Sequence, residues 1–282
     1  MSKPVYITAD STCDLSQELK ERLGVKTVPL HVTIGQDNYL DGESISPDLI
    51  FARYDQEKLL PTTAAVSPQK FENFFRPLVE AGYEVVHLDI SSDLSGTYQN
   101  AVIAAQELEG VYPIDSRHLS TSISLLLLEA CRLRDQGKCA AEIVQAIHDL
   151  IPRVRTSFVV DTLEYLWKGG RCSGVAAFGA NLLSLKPCIE MKDGKLEVGK
   201  KYRGKINKVY EKYIEERLAG QKVYGGRVSL VCTDVLPRET RDTLESLIRS
   251  VAPVEEVLFA RAGSTICAHC GPGTLGVMYI EG

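Results

Sequence analysis

The sequence predicts an α/β protein of two domains, the first built on a parallel sheet. Three observations carry this. Short β-like apolar runs alternate with helical patterns through the first half, and that alternation is the mark of parallel βαβ units. Two consecutive helical patterns then interrupt it, with Gly137 between them, and a different pattern starts beyond Pro152. The 282 residues are enough for two cores, which places the domains at residues 1–152 and 153–282.

The first strand is expected at Val5 to Thr8, followed by a helix in DLSQELKERLG, capped by Asp14 or Ser16 and ended by Gly24. Val25 to Val32 reads as a second strand. Ser67 and Pro68 supply the N-cap and first position of a helix that ends near Gly82. Val85 to Ile90 is a third strand, and Gly96 opens a helix whose apolar positions include Ala101, Val102, Ala104 and Ala105. Tyr112 to Asp115 gives a fourth strand before the paired helices Ser120 to Gln136 and Cys139 to Val154.

In the second half, Phe158 to Val160 reads as a strand, followed by the glycine-rich KGGRCSG and a helical stretch to Leu185. Asp193 and Gly194 carry type I′ hairpin chemistry. A basic amphipathic helix follows from about Lys205 to Leu218, then a strand from Val228 to Cys232 and a helix after Pro237. Strands at Val257 to Ala260 and Gly276 to Ile280 complete the chain.

Composition narrows the function classes. With 44% hydrophobic and 24% charged residues and a formal net charge of -5, the chain has the profile of an ordinary globular protein. The mild acidic balance argues against nucleic acid as the main partner. No apolar run reaches the roughly 18 residues of a membrane span, and the start MSKPVYITADS lacks the apolar stretch of a signal peptide, so a cytoplasmic location is expected. The eight cysteines are dispersed, which favours reduced thiols over a disulfide framework.

Ligands of open α/β sheets bind beyond the carboxyl ends of strands, so four segments invite comparison. They are Ala9 to Thr12, Pro61 to Ala64, the stretch SSDLSG from Ser91 to Gly96, and His269 to Gly273. At SSDLSG the helix opened by Gly96 offers free N–H groups beside the hydroxyls of Ser91, Ser92, Ser95 and Thr97. Such a place suits an oxygen-rich anion, and equally a serine that closes its own helix.

Other chemistry is less well supported by the residues. GPGTLG has the letters of a dinucleotide fingerprint, but six residues remain after it, too few for the helix, strand and acidic residue that must follow. Cys267 and Cys270, with His269 between, lack a second ligand pair, so no metal site is expected. Ser95, His269 and Asp10 can be drawn as a hydrolytic triad, although the G-x-S-x-G elbow is missing around Ser95. Lys200, Lys201, Arg203, Lys205 and Lys208 form a basic cluster, either a solvated helix start or a docking face for an acidic partner.

Taken in order, ITADSTCDL, LPTTAAVSPQKF, SSDLSGTYQNA, VDTLEYLWKGGR, KPCIEMKDGKL and HCGPGTLG make the chain resemble the DegV family of bacterial fatty-acid-binding proteins along nearly its whole length. That family includes the FakB subunits of fatty acid kinase. The resemblance implies a two-domain DegV-like α/β fold with a long-chain fatty acid as ligand and no other cofactor. It places the carboxylate-binding roles on Thr63, Ser95, Gly96 and His269, with Arg203 and His269 serving a separate ATP-dependent kinase that makes an acyl phosphate for phospholipid synthesis. It implies a binding subunit with no catalytic residue and no metal; the alternative is a stand-alone acyl hydrolase using Ser95 and His269. Ala64, Ala65 and Val66 depart from the more polar continuation usual in the family after the threonine.

The energetics suit such a ligand. An acyl chain of about sixteen carbons offers roughly 12 kcal/mol on burial, before costs, at about 0.8 kcal/mol per CH₂. Its carboxylate must be hydrogen-bonded in compensation, a task that hydroxyls and a helix N-terminal amide can perform. No Walker-type G-x-x-x-x-G-K-[ST] is present, so a nucleotide is expected on the partner.

Overall fold

A computed structural model describes residues 3–172 and 185–282 of the chain. The helix expected between KGGRCSG and Leu185 lies outside the described residues. Strand β1 (Val5–Asp10) leads through helix α1 (Gln17–Leu23) to β2 (Lys26–Val28). Ser16, rather than Asp14, caps α1: its Oγ accepts from the Leu19 N–H at 3.2 Å, and Gly24 closes the helix at φ 62°.

The single strand expected from Val25 to Val32 is two strands in two sheets. Pro29 has no N–H to donate, and the chain leaves the first sheet there. It continues as β3 (His31–Ile34), which pairs antiparallel with β4 (Asp37–Leu40). Helix α2 (Pro47–Glu57) then leads to β5 (Thr62–Ala64) on the other edge of β3, with Val32 opposite Thr63. The segment Pro61 to Ala64, expected as a loop, is thus largely a strand. Thr63 is fixed by a ladder.

Ser67 and Pro68 open α3 (Pro68–Glu80) as expected, with Ser67 Oγ accepting from Lys70 N–H. Next come β6 (Glu84–Asp89), α4 (Thr97–Gln106), capped by Gly96, and β7 (Val111–Asp115). The first sheet is four-stranded and parallel throughout, in the order β2-β1-β6-β7.

Helices α5 (Thr121–Asp135) and α6 (Ala140–Leu150) follow. The second ends earlier than the pattern predicts: Pro152 has no N–H to continue the helical ladder, and a short turn over Ile151–Arg153 gives way to β8 (Val154–Val159). After α7 (Glu164–Gly169), the hairpin of β9 (Leu185–Lys192) and β10 (Lys195–Arg203) turns at Asp193 and Gly194. Both turn residues have positive φ, 47° and 80°, as a type I′ turn requires.

Helix α8 (Ile206–Leu218), β11 (Val223–Cys232), α9 (Arg238–Val251) and β12 (Glu256–Arg261) follow, then α10 (Ser264–Cys270) and β13 (Leu275–Glu281). The second sheet has the order β10-β9-β8-β13-β11-β12 and is mixed, with β11 and β12 its parallel pair. His269 and Cys270, expected in a loop, are the last turn of α10.

Helix α5 packs against β1 and β6 on one side and β8, β11 and β13 on the other. Its sequence is apolar or small almost all round because both faces are covered, and Ile123, Leu126 and Leu127 are fully buried. One buried cluster therefore runs from Ile7, Leu88 and Ile114 to Phe158, Val231 and Met278. Among the described residues, no helix is long and apolar enough to cross a membrane.

Candidate functional site

The placement of α10 begins with two aspartates from the other end of the chain. Asp14 Oδ1 accepts the Gly263 N–H and Asp41 Oδ1 the Ser264 N–H, each at 2.8 Å. Helix starts leave such N–H groups without intrahelical partners, and these two are closed by carboxylates. The carboxylates are held in turn: Ser120 Oγ donates to Asp14 at 2.5 Å, and Ser11 Oγ to Asp41 at 2.9 Å. Burial pushes the Asp14 carboxyl well up, while the bonds from Ser120 and Gly263 oppose that rise.

Held in this way, α10 brings His269 to the small sheet, where its Nε2 lies 2.8 Å from Thr63 Oγ1. Burial pushes the His269 ring down to about 4, and the Arg171 charge acts in the same direction, so the imidazole is neutral at pH 7. Its Nδ1 is buried without a hydrogen-bond partner among the described residues. Gly169 faces that edge: a Cβ there would stand 2.5 Å from Nδ1.

Thr63, His269 and Ser95 line one cavity. Leu30, Ala65, Ile90, Leu94, Leu119, Leu166, Leu196 and Ile266 supply most of its remaining wall. The lining combines hydroxyls, an imidazole and the Arg171 side chain with a larger set of aliphatic side chains. It is chemically amphipathic.

The predicted residues are distributed unevenly. Thr63, Ser95 and His269 share the cavity; Gly96 is the N-cap of α4 next to Ser95, with open space where a Cβ would stand. Ser95 Oγ lies 2.8 Å from Thr97 Oγ1 and accepts the Thr97 N–H at 3.2 Å. Its hydrogen bonds among the described residues are to Thr97, so no Ser95–His269 nucleophile pair is formed. Asp10 is no third member either, since its oxygens take the Thr12 N–H, the Thr12 hydroxyl and the Ile90 N–H. Arg203 ends the edge strand β10, exposed and outside the cavity lining.

Ser91 and Ser92 belong to a clasp between loops. Ser91 Oγ donates to the Gly194 carbonyl at 2.7 Å, Arg117 donates to the Asp193 carbonyl and to Ser92 Oγ, and Arg117 pairs with Asp93 at 2.6 Å. This seats the β9–β10 hairpin, whose Leu196 lines the cavity.

Three further residues shape the site without a local sequence signal of their own. Arg171 lines the cavity with its guanidinium held on the Gly169 carbonyl at 2.7 Å. Thr265, one helical turn before His269, lines it with a buried hydroxyl that has no partner among the described residues. Gly169 makes the room for the imidazole. Recognising STICAHC as a helix would have put Thr265 and His269 on one face by their i, i+4 spacing.

Cys267 and Cys270 are free, buried thiols, and burial pushes Cys270 up to about 12. Among the described residues, no group of three or more His, Cys, Asp or Glu side chains is placed to hold a metal ion.

The profile described as "Uncharacterised protein, DegV family" matches residues 4–282. A DegV domain-containing protein of Clostridium acetobutylicum is 32% identical over 280 residues, 98% of each chain. A fatty-acid-binding DegV family protein from Thermus thermophilus superposes with a TM-score of 0.87 at 34% identity over 100% of both chains. A stearic-acid-binding protein from Eubacterium ventriosum gives a TM-score of 0.83 at 28% identity over 98% of each. With a profile match from residue 4 to the last and relatives that align end to end, this chain belongs to the DegV family.

Proposed function

We propose that this protein binds a long-chain fatty acid and presents its carboxylate to a separate ATP-dependent kinase, which forms the acyl phosphate. The observation that carries the reading is the amphipathic cavity, in which Thr63, Ser95 and His269 meet a wall of leucines and isoleucines. A carboxylate with an aliphatic tail has the same division of polarity. The fatty-acid-binding relatives from Thermus thermophilus and Eubacterium ventriosum support it.

In this reading Thr63 and Ser95 donate hydroxyl hydrogen bonds to the carboxylate, the Gly96 backbone amide adds a third, and His269 orients Thr63. Residues 1–152 form the domain carrying the carboxylate-binding loops, and residues 153–282 the domain that covers the acyl chain. The chain acts as a cytoplasmic binding subunit without catalytic residues of its own, and the nucleotide belongs to the partner. Arg203 and its lysine neighbours form the kinase-facing surface, with the His269 end of the cavity adjacent to the transferred phosphoryl group.

Mass spectrometry of the organic extract of purified protein tests the ligand. A stoichiometric free fatty acid is expected; no retained lipid, even after a panel of fatty acids is offered, overturns the reading. Acyl phosphate formation with a cognate kinase tests the partnership. It is expected to fall in Arg203→Ala with fatty acid binding intact, and an unchanged rate removes Arg203 from that surface.

A further inference from the structure

A second, smaller void shares Leu119, Ile266 and Cys270 with the first. The two voids therefore lie against the same three side chains. The second void also touches Ser120, Thr233 and Thr274, but their hydroxyls are engaged elsewhere. Ser120 donates to Asp14 at 2.5 Å, Thr274 to the Cys270 carbonyl at 3.0 Å, and Thr233 to the Thr274 carbonyl at 3.5 Å. With those groups satisfied, the space offers little to a water molecule or a polar ligand group and suits hydrocarbon.

Its far wall is made by Phe158, Val231, Gly276 and Met278, from the adjacent strands β8, β11 and β13. A Cβ built on Gly276 would lie 2.7 Å from Met278 Cε and 3.1 Å from Val231 Cγ1. The Met278 methyl therefore occupies the place that any larger residue at 276 would claim. The Thr121 hydroxyl, 3.5 Å from the Met278 sulfur and donating to it, steadies the side chain from α5.

We infer that an acyl chain seated in the first cavity extends into the second void to form one tract, whose floor is Met278, seated over Gly276, and that this floor sets the longest chain the protein retains. The inference rests on the fatty-acid reading and adds the residue that selects among fatty acids. Methionine is unbranched and adaptable, so this floor yields in steps of a methylene and accepts a band of lengths.

Competition among saturated fatty acids of graded length, read by mass spectrometry of the retained lipid, tests it. Met278→Ala is expected to move the preferred length up by about two methylenes, because truncation opens space that only partly collapses. Gly276→Ala is expected to shift it down, by pushing the Met278 methyl into the tract. Met278→Leu, a nearly volume-conserving change, serves as the folded control and should move the preference up by no more than about one methylene. An unchanged length distribution in folded Met278→Ala and Met278→Leu overturns the ruler while leaving fatty acid binding intact. Wild-type protein that retains no fatty acid of any length overturns the binding reading itself.

Discussion

Thr63 and His269 are 206 residues apart in the chain and 2.8 Å apart in space, from Thr63 Oγ1 to His269 Nε2. The contact joins the edge strand of the small sheet to the last turn of α10. Because burial keeps His269 neutral, the pair can direct the threonine hydroxyl without adding a fixed charge. Thr63→Val preserves shape and removes the hydroxyl. Fatty acid affinity, measured by titration calorimetry, is expected to weaken about tenfold, the value of one good hydrogen bond to a charged group. Unchanged affinity would take Thr63 out of the carboxylate site.

Gly169→Ala sets two effects against each other. Alanine gains about 1 kcal/mol in helix propensity over glycine, whereas crowding a packed site costs about 1–3 kcal/mol. The added Cβ would meet His269 Nδ1 at 2.5 Å and Cε1 at 3.3 Å, and both belong to a ring already tied to Thr63. Crowding wins on this geometry. Urea denaturation is expected to show a less stable variant, with weaker fatty acid binding as His269 moves; a more stable variant would mean the ring yields freely.

The two aspartates at α10 should behave as caps. Asp14→Ala or Asp41→Ala leaves the part-buried N–H of Gly263 or the buried N–H of Ser264 without its acceptor, at about 1–3 kcal/mol each. Asn retains a carbonyl oxygen, so Asp41→Asn is expected to recover most of the loss. The comparison by chemical denaturation fails the capping account if Asn is as damaging as Ala.

These contacts mark where sequence reasoning reached and where it stopped. Local chemistry was legible: Ser67 and Pro68 start α3, Asp193 and Gly194 turn the hairpin, and the apolar alternation announces the parallel sheet. Helix α10 was not, because its seven residues are nearly all buried and show no polar face, and its caps lie more than two hundred residues away. The strands β4 and β5 were hidden for a related reason. Each is short, and both pair with β3, whose departure from the first sheet at Pro29 the apolar pattern of Val25 to Val32 does not show. Thr63, Ser95 and His269 were brought together by family resemblance, while Gly169 and Thr265 needed the packed structure.

His118 gives stability a pH dependence of definite sign. Its Nε2 lies 3.1 Å from the Ile151 carbonyl and its Nδ1 2.9 Å from Thr156 Oγ1, and burial pushes the ring down to about 4. An unfolded histidine titrates near 6.5, so as pH falls from about 6.5 to 4 the unfolded chain takes up this proton first. Stability is lost across that window. Asp10, raised to about 7 chiefly by burial, acts oppositely because the folded state holds its proton more tightly. Comparing wild type with His118→Gln by urea melts at pH 7 and pH 5 isolates the histidine: the variant is expected to lose less stability on acidification. Equal losses would show that His118 does not contribute.

Thr265→Val separates a ligand contact from a structural one by the sign of two measurements. The Thr265 hydroxyl is buried beside the cavity with no partner among the described residues, so in the unliganded protein it carries a desolvation cost of about 1–3 kcal/mol. Valine has nearly the same shape and a similar helix propensity, and it removes that cost. The unliganded variant is therefore expected to melt at a higher temperature than wild type. Fatty acid binding should move the other way, weakening about fivefold, if a ligand oxygen supplies the missing hydrogen bond. A purely structural threonine would shift melting and leave affinity alone, and that outcome removes Thr265 from the polar end of the site. Lower stability in the variant would show instead that the hydroxyl is already satisfied.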